Sequence, residues 1–199
     1  MAKVKLMTSC KKCNILRFTN RLQLRKWLAK NCQTEKECFV TIKKGKPINQ
    51  RALWYIDCVE EALCFGWIDS IVQKSKKYGL FIRLSPRRKN SHWTMHNIER
   101  CKRLIKLKLM TKYGLKTLPK MNHPFKIRID LKRILNRDKQ LAKNFNNFPK
   151  LYQRIRLDSI QRYFKINRKK YKKAKQNFIK KTKLNKMYGD WNDYGRLCD

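Results

Sequence analysis

Six side chains between residues 67 and 93 form the combination in this chain that is best suited to bind an anion. Arginine presents a planar fork of donors that binds a carboxylate or phosphate through two hydrogen bonds, and a tryptophan face can stack on the same ligand. An aspartate and a serine in the same stretch add polar groups. The candidate ligand pocket consists of Trp67, Asp69, Arg87, Arg88, Ser91 and Trp93.

The same residues also have a purely structural interpretation. Asp69 can pair with Arg87 or Arg88 across a hairpin, while the two tryptophans fill the core between sheet and helix. A third alternative is an enzyme that uses these charged residues as a cleft, for which Asp69→Asn would abolish turnover and leave folding intact. An equal loss of stability would instead assign these residues to structure.

The cysteine spacing does not support a metal site. Cys10 and Cys13 have the separation of one zinc knuckle or of a redox pair. Cys32 and Cys38 would have to supply the second pair, but a predicted helix end and strand start separate them. We therefore expect no metal and no cofactor.

No arrangement typical of nucleophilic or acid/base catalysis is present in the sequence. His92, His96 and His123 do not accompany a glycine-framed serine or a cysteine in a nucleophile motif, so surface or capping roles are the simpler interpretation. Glu60 and Glu61 are neighbours that point to different faces of a helix, which makes them a poor acid/base pair. These observations favour a protein that is not an enzyme.

The net charge is the second property that points to anions. The 199 residues include 52 Lys and Arg against 13 Asp and Glu, a formal net charge of +39. The excess is +11 in residues 1–50, +4 in 51–100, +13 in 101–150 and +11 in 151–199. A charge of this size attracts polyanions at low salt, although a lysine-rich composition alone would produce it as well.

The densest run of lysine lies in Arg168 to Lys183, where Tyr171, Ala174 and Phe178 form the apolar face of a predicted helix. Such a run is usually a solvated face, and contact with nucleic acid is the alternative. No recognised DNA- or RNA-binding motif accompanies it. The candidate polyanion-binding residues are Lys169, Lys170, Lys172, Lys173 and Lys175.

The elements that would position the pocket are those of an α+β fold. Helical spacing of apolar residues predicts a helix after Asn20, with Gln23 at the capping-box position, and a second helix over residues 50–65. Residues 38–43 predict a strand, and residues 67–85 predict an antiparallel hairpin. The sequence therefore predicts a small antiparallel sheet packed by helices.

The second half of the chain predicts mainly helices. Thr94 and Thr111 can cap two of them, and an apolar stripe from Leu141 to Phe164 continues the pattern. We place an α+β core at residues 18–120 and a basic helical carboxy-terminal region at residues 137–199. This region is expected to pack on the core, and its last residues, rich in aromatics and glycine, to pack back rather than extend into solvent.

The sequence favours a cytosolic protein with no membrane insertion. The amino terminus lacks an apolar run of signal-peptide length, and no stretch approaches the ~20 apolar residues that span a bilayer. Cysteines within apolar helix and strand patterns indicate buried, reduced thiols rather than disulfides. These cysteines are Cys38, Cys58, Cys64 and Cys101.

Several sequence segments resemble the YdeI/OmpD-associated family. They are EALCFGWIDS and LSPRRKNSHW within Glu61 to Trp93, the later pattern MTxxGL at Met110, Thr111, Gly114 and Leu115, and the upstream RKWLAKN helix and KKGKP turn. The resemblance covers roughly Phe18 to Lys120, with weaker similarity in the helical tail. The high lysine content departs from the pattern of the family.

The resemblance implies a small bacterial cytosolic protein linked to tolerance of bacteriocins or antimicrobial peptides and to envelope stress, with no settled reaction. On that basis the leading hypothesis is a non-enzymatic stress protein that binds another protein or a small anionic ligand. Nonspecific nucleic-acid binding is the alternative, and an enzyme of unknown reaction is the third. Some similar proteins carry a thymidylate synthase name, but this chain has no arginine-rich phosphate loop followed by a Pro-Cys-His nucleophile segment.

Overall fold

The computed structural model describes residues 15–121 and 125–197. The described residues of Met1–His92 and Arg100–Pro119 form one compact unit, here called the α+β unit. Those of Trp93–Glu99 and Lys120–Asp199 form a second, here called the helical unit. Cys10, Cys13 and His123, which were considered as metal, redox or catalytic candidates, lie outside the described residues.

The α+β unit contains a four-stranded mixed sheet with the strand order β1-β2-β4-β3. β2 pairs antiparallel with β4, and β4 with β3, whereas β1 pairs parallel with β2. The predicted α+β class is confirmed, and the two-residue β1 is an addition that is too short to leave a sequence pattern. The strands are β1 (Ile15–Leu16), β2 (Cys38–Thr41), β3 (Trp67–Ser75) and β4 (Gly79–Pro86).

The inner face of the sheet follows from alternation along the paired strands. Cys38 lies opposite Leu84 and Val40 opposite Ile82, and all four side chains are buried. The predicted hairpin is confirmed, with an irregularity in its register after Asp69. Side chains of alternate residues lie on one face of a strand, so this apolar set faces the core.

Helices complete the α+β unit. The Asn20 side chain caps the first by accepting from the backbone N–H of Gln23 at 3.1 Å, as predicted. The second begins at Tyr55 rather than near residue 50, because Trp54 is extended and bridges to Lys43. The helices are α1 (Arg21–Asn31), α2 (Tyr55–Cys64), α3 (Met95–Lys106), of which only residues 100–106 belong to this unit, and α4 (Lys112–Lys116).

The helical unit follows the apolar stripe predicted from Leu141 to Phe164, but breaks at Pro149 and Arg162 divide that stripe among three helices. A buried cluster that includes Leu131, Tyr152 and Phe178 forms its core. The helices are α5 (Ile129–Arg137), α6 (Lys139–Asn147), α7 (Lys150–Gln161), α8 (Tyr163–Ile166) and α9 (Arg168–Lys183). The sequence patterns did not predict α5.

The end of the described chain packs back, as predicted. Leu197 is buried against Leu151 and Ile155, and Nε2 of His96 lies 3.0 Å from Oδ1 of the buried Asp193. In the two ranges that the structure describes, no helix is both long enough and apolar enough to cross a membrane.

Candidate anion-binding surfaces

Three carboxylates of α2 lie buried beside arginines. Glu60 is 0% exposed, Glu61 1% and Asp57 7%. The guanidinium of Arg21 donates to Oε1 of Glu61 from Nε at 2.8 Å and from Nη2 at 2.6 Å. Its Nη1 also donates to Oε2 of Glu60 at 3.2 Å and lies 3.5 Å from Oδ1 of Asp57. One side chain of α1 therefore contacts both glutamates, which were expected on different helix faces.

Two further arginines complete this network. Arg25 donates to Oε2 of Glu61 at 2.9 Å and to the carbonyl oxygen of Leu109 at 2.7 Å. Arg103 donates to Oε1 of Glu60 at 2.8 Å. Burial lowers the pKa of Arg21, but the charges of the neighbouring carboxylates outweigh this and raise it, so the guanidinium of Arg21 stays charged. The sequence signal for this network was a pair of glutamates inside an apolar helix pattern, because buried carboxylates require cations as partners.

The network also removes negative charge from the protein surface. Five carboxylates are buried among the described residues, whereas no described lysine is buried. Two carboxylates of the helical unit are held by cations: Asp130 lies 3.1 Å from Arg128, and Asp138 lies 2.8 Å from Lys183. The ratio of basic to acidic side chains free on the surface is therefore higher than the composition of the chain suggests. The buried set is Asp57, Glu60, Glu61, Asp158 and Asp193.

In the candidate ligand pocket, two hydrogen bonds orient the guanidinium of Arg87. Its Nη1 donates to Oγ of Ser91 at 3.0 Å and to the carbonyl oxygen of His92 at 3.2 Å. Burial lowers the pKa of this guanidinium, although the charge of Asp69 partly opposes the shift. The structure therefore brings Arg87 and Ser91 together in a half-buried position, while Arg88 is exposed.

Asp69 has a different partner from the one expected. The hydroxyl of Tyr55 donates to its Oδ2 at 2.9 Å, and no ion pair joins it to Arg87 or Arg88 within the described chain. Burial raises the pKa of Tyr55, and the Asp69 charge raises it further. The expected pairing across the hairpin is therefore absent from this part of the chain. Tyr55 was missed because nothing in its local sequence marks it.

The two tryptophans of the candidate pocket fall in different units. Trp67 is 1% exposed; its indole N–H donates to the carbonyl oxygen of Cys32 at 3.1 Å, and its ring packs edge-on against Trp27. This confirms its predicted role in the core and leaves no face for a ligand. Trp93 is half-buried and belongs to the helical unit.

The MTxxGL pattern has an architectural explanation. Thr111 donates from its backbone N–H and from its hydroxyl to the carbonyl oxygen of Cys64, at 3.1 and 2.7 Å. A Cβ atom placed on Gly114 would lie 2.3 Å from that same oxygen. Gly66 has a φ of +74°, and a Cβ atom placed on it would likewise lie too close to the backbone of Tyr113. These residues dock α4 on the end of α2.

The lysine-rich helix α9 provides the densest basic surface. It carries nine Lys and Arg residues and no carboxylate in 16 positions. Tyr171, Phe178 and Thr182 face the core of the helical unit. The helical period places Lys169, Lys173 and Lys180 on the opposite, exposed side.

The five predicted lysines of α9 are not equivalent. Lys169, Lys170, Lys172 and Lys173 are exposed, as a solvated or ligand-binding face requires. Lys175 is half-buried, and its ammonium lies 5.4 Å from the ring centre of Tyr171. Sequence reasoning overlooked the later lysines of the same exposed side.

Near the start of α9, two arginines enclose an aromatic ring. The guanidinium carbons of Arg128 and Arg168 lie 3.1 and 3.3 Å from the ring centre of Phe164. Two such groups cannot share one face at these distances, so they lie on opposite faces of the ring. The ring thereby fixes two cations beside the first turn of α9.

Net charge does not distinguish the two units. Each has 24 Lys and Arg residues against 6 Asp and Glu residues in its described part. The local arrangement does distinguish them, because α9 presents cations with no intervening carboxylate. No group of three or more His, Cys, Asp or Glu side chains suited to a metal occurs in residues 15–121 and 125–197.

One comparison with known proteins gives a match. Residues 16–117 match a family model described as a domain of unknown function, DUF8412. No curated protein and no solved structure matches the chain.

Proposed function

Since the chain belongs to the DUF8412 family, we propose from its surface that it binds nucleic acid nonspecifically, without catalysis, through the exposed side of α9. The observation that carries this proposal is the run of nine cations without a carboxylate on one 16-residue helix. Cations of this density exchange the counterions of a phosphate backbone for direct contacts.

The burial of carboxylates supports the same function. Asp57, Glu60 and Glu61 are enclosed with Arg21, Arg25 and Arg103, so these acids do not repel an approaching polyanion at the surface. The exposed lysines create a long-range attraction that steers a phosphate chain toward the protein. We place this activity in the cytosol, in keeping with free, buried thiols among the described cysteines.

A charge-matched pair of variants tests the proposal. Replacing Lys169, Lys173 and Lys180 by Gln removes three cations from the exposed side of α9. Replacing Lys26, Lys30 and Lys36 by Gln removes three exposed cations from the α+β unit and gives the same net charge. Binding of a labelled duplex is followed by fluorescence anisotropy at physiological salt.

The proposal predicts that the α9 variant loses more affinity than the charge-matched control. The slope of log K against log salt should also become less steep by about two to three in the α9 variant, since each phosphate contact contributes ~0.9 to its magnitude. Equal losses in the two variants would show that binding follows total charge and that α9 is not a distinct surface. Circular dichroism of both variants verifies that α9 is retained.

A second candidate function follows from the resemblance to the YdeI/OmpD-associated family. In that proposal the protein acts in bacteriocin or antimicrobial-peptide tolerance by binding a protein or small anionic ligand. The observation in its favour is Arg87, whose guanidinium is half-buried and oriented by Ser91. A bound carboxylate or phosphate would compensate the burial of this cation.

This candidate is tested in cells and in solution. Deleting the gene should increase sensitivity to bacteriocins or cationic peptides under conditions where the protein is made. Inorganic phosphate should also stabilise the wild-type protein against heat more than the Arg87→Gln variant. Unchanged sensitivity together with an equal phosphate effect in the two proteins would contradict this function.

A further inference from the structure

A cleft of about 330 Å³ opens in the helical unit between α5, α6 and the start of α7. Its apolar surface comes from Ile127, Leu135 and Phe145, and the small side chain of Ala142 leaves the space open. Phe145 is held by edge-on packing against Phe178, with ring centres 5.4 Å apart. The volume is at the lower end of the range for small-molecule sites, which suits one planar heterocycle.

Three carboxamide side chains line the same cleft. Asn136 and Asn146 are exposed, and their side-chain amides make no hydrogen bond within the described chain. Gln153 donates from Nε2 to the carbonyl oxygens of Asn146 and Phe148, at 3.2 and 2.8 Å, and this orients its amide. Carboxamides supply paired donors and acceptors, which match the edge of a nucleobase.

The surroundings of the cleft are basic. Lys132 lines it, and exposed cations follow on both adjoining helices. The two carboxylates nearest in sequence are engaged elsewhere, Asp130 by Arg128 and Tyr171 and Asp138 by Lys183. The exposed cations on α5 and α6 are Lys132, Arg133, Arg137, Lys139 and Lys143.

We infer that this cleft receives an unpaired base of single-stranded nucleic acid, with the carboxamides on the base edge and the cations of α5 and α6 on the adjacent phosphates. This inference rests on the proposed function, which requires only phosphate contacts along α9. An unpaired base is required because pairing in a duplex occupies the edge that the carboxamides would contact. The protein then prefers single strands over duplexes of equal length.

Three oligonucleotides of equal length separate base binding from phosphate binding: a single strand, the same strand with abasic sites, and a duplex. The wild-type protein is expected to bind the single strand about tenfold more tightly than the abasic strand, the size of one base contact. Asn136→Ala combined with Asn146→Ala should reduce this preference and leave duplex binding unchanged. Both residues are exposed, so the fold should tolerate their replacement.

Ala142→Leu fills the cleft and should have the same effect on the single strand. The matched control is Asn147→Ala, an exposed asparagine of α6 that does not line the cleft. Equal affinity for the intact and abasic strands, or cleft variants that bind the single strand like wild type, would overturn the base site while leaving phosphate binding by α9 intact. Failure of all three oligonucleotides to bind would remove the proposed function and the base site together.

Discussion

Arg21 donates two hydrogen bonds to a single carboxylate oxygen of Glu61, from Nε at 2.8 Å and from Nη2 at 2.6 Å. Glu61 stands in the segment that resembles the YdeI/OmpD-associated family, yet it is 1% exposed and its partners belong to the chain itself. The contact joins α1 to α2. It therefore assigns this glutamate to the stability of the α+β unit.

Glu61→Ala should destabilise the protein by about 3–5 kcal/mol, because it leaves Arg21 and Arg25 partly buried without their common partner. Urea denaturation followed by tryptophan fluorescence measures the change. The control is Glu37→Ala, which removes an exposed pair with Arg83 and should cost about 1 kcal/mol or less. Similar losses in the two variants would contradict a structural role for the buried network.

Gly114→Ala should destabilise the protein by about 1–3 kcal/mol or more. The new Cβ would lie 2.3 Å from the carbonyl oxygen of Cys64 and would push α4 away from α2. Thermal unfolding detects the change. Lys116→Ala in the same short helix is exposed and should remain within about 0.5 kcal/mol of wild type. If the Gly114 variant unfolds at the wild-type temperature, the close docking of α4 is incorrect.

Stability should fall as the pH rises above 9. Burial raises the pKa of Cys38, Cys64 and Cys101 from the ordinary 9.0 to about 12. Below pH 9 these thiols are protonated in both states and contribute no pH dependence. Between pH 9 and 12 the unfolded chain loses their protons and the folded protein retains them, so unfolding becomes more favourable.

The measurement is urea unfolding at several pH values in that window. Cys64→Ala removes one of the three thiols and should make the alkaline loss of stability less steep, by up to about 1.4 kcal/mol per pH unit. Deprotonation of lysine affects both proteins equally, so the comparison isolates the thiol. Identical pH slopes would mean that Cys64 is accessible to solvent in the folded protein.

The fold was more predictable than the site, for a reason visible in particular residues. Asn20, Pro86 and Gly66 act within a few positions of sequence: one caps α1, one ends β4, and one follows α2 with a positive φ. Local signals of this kind determined the hairpin and most helices. β1 is too short to show a pattern, and α5 was not detected.

The site depended on contacts between residues far apart in sequence. Arg21 and Glu61 are forty positions apart, and Tyr55 and Asp69 are fourteen. Two glutamates inside an apolar helix pattern imply cationic partners, but the sequence could not identify these partners because many arginines were available. Only the folded chain distinguishes cations used in ion pairs from those, such as Lys169 and Lys173, left on the surface.

The most direct test of the account is the affinity of the unmodified protein for duplex DNA and single-stranded RNA across a salt series that extends above physiological ionic strength. The account predicts binding that persists at physiological salt, with a steep linear fall of log K against log salt. Loss of all binding below physiological salt would contradict it. The charge of +39 would then be a property of composition, and the small-anion function at Arg87 would take its place.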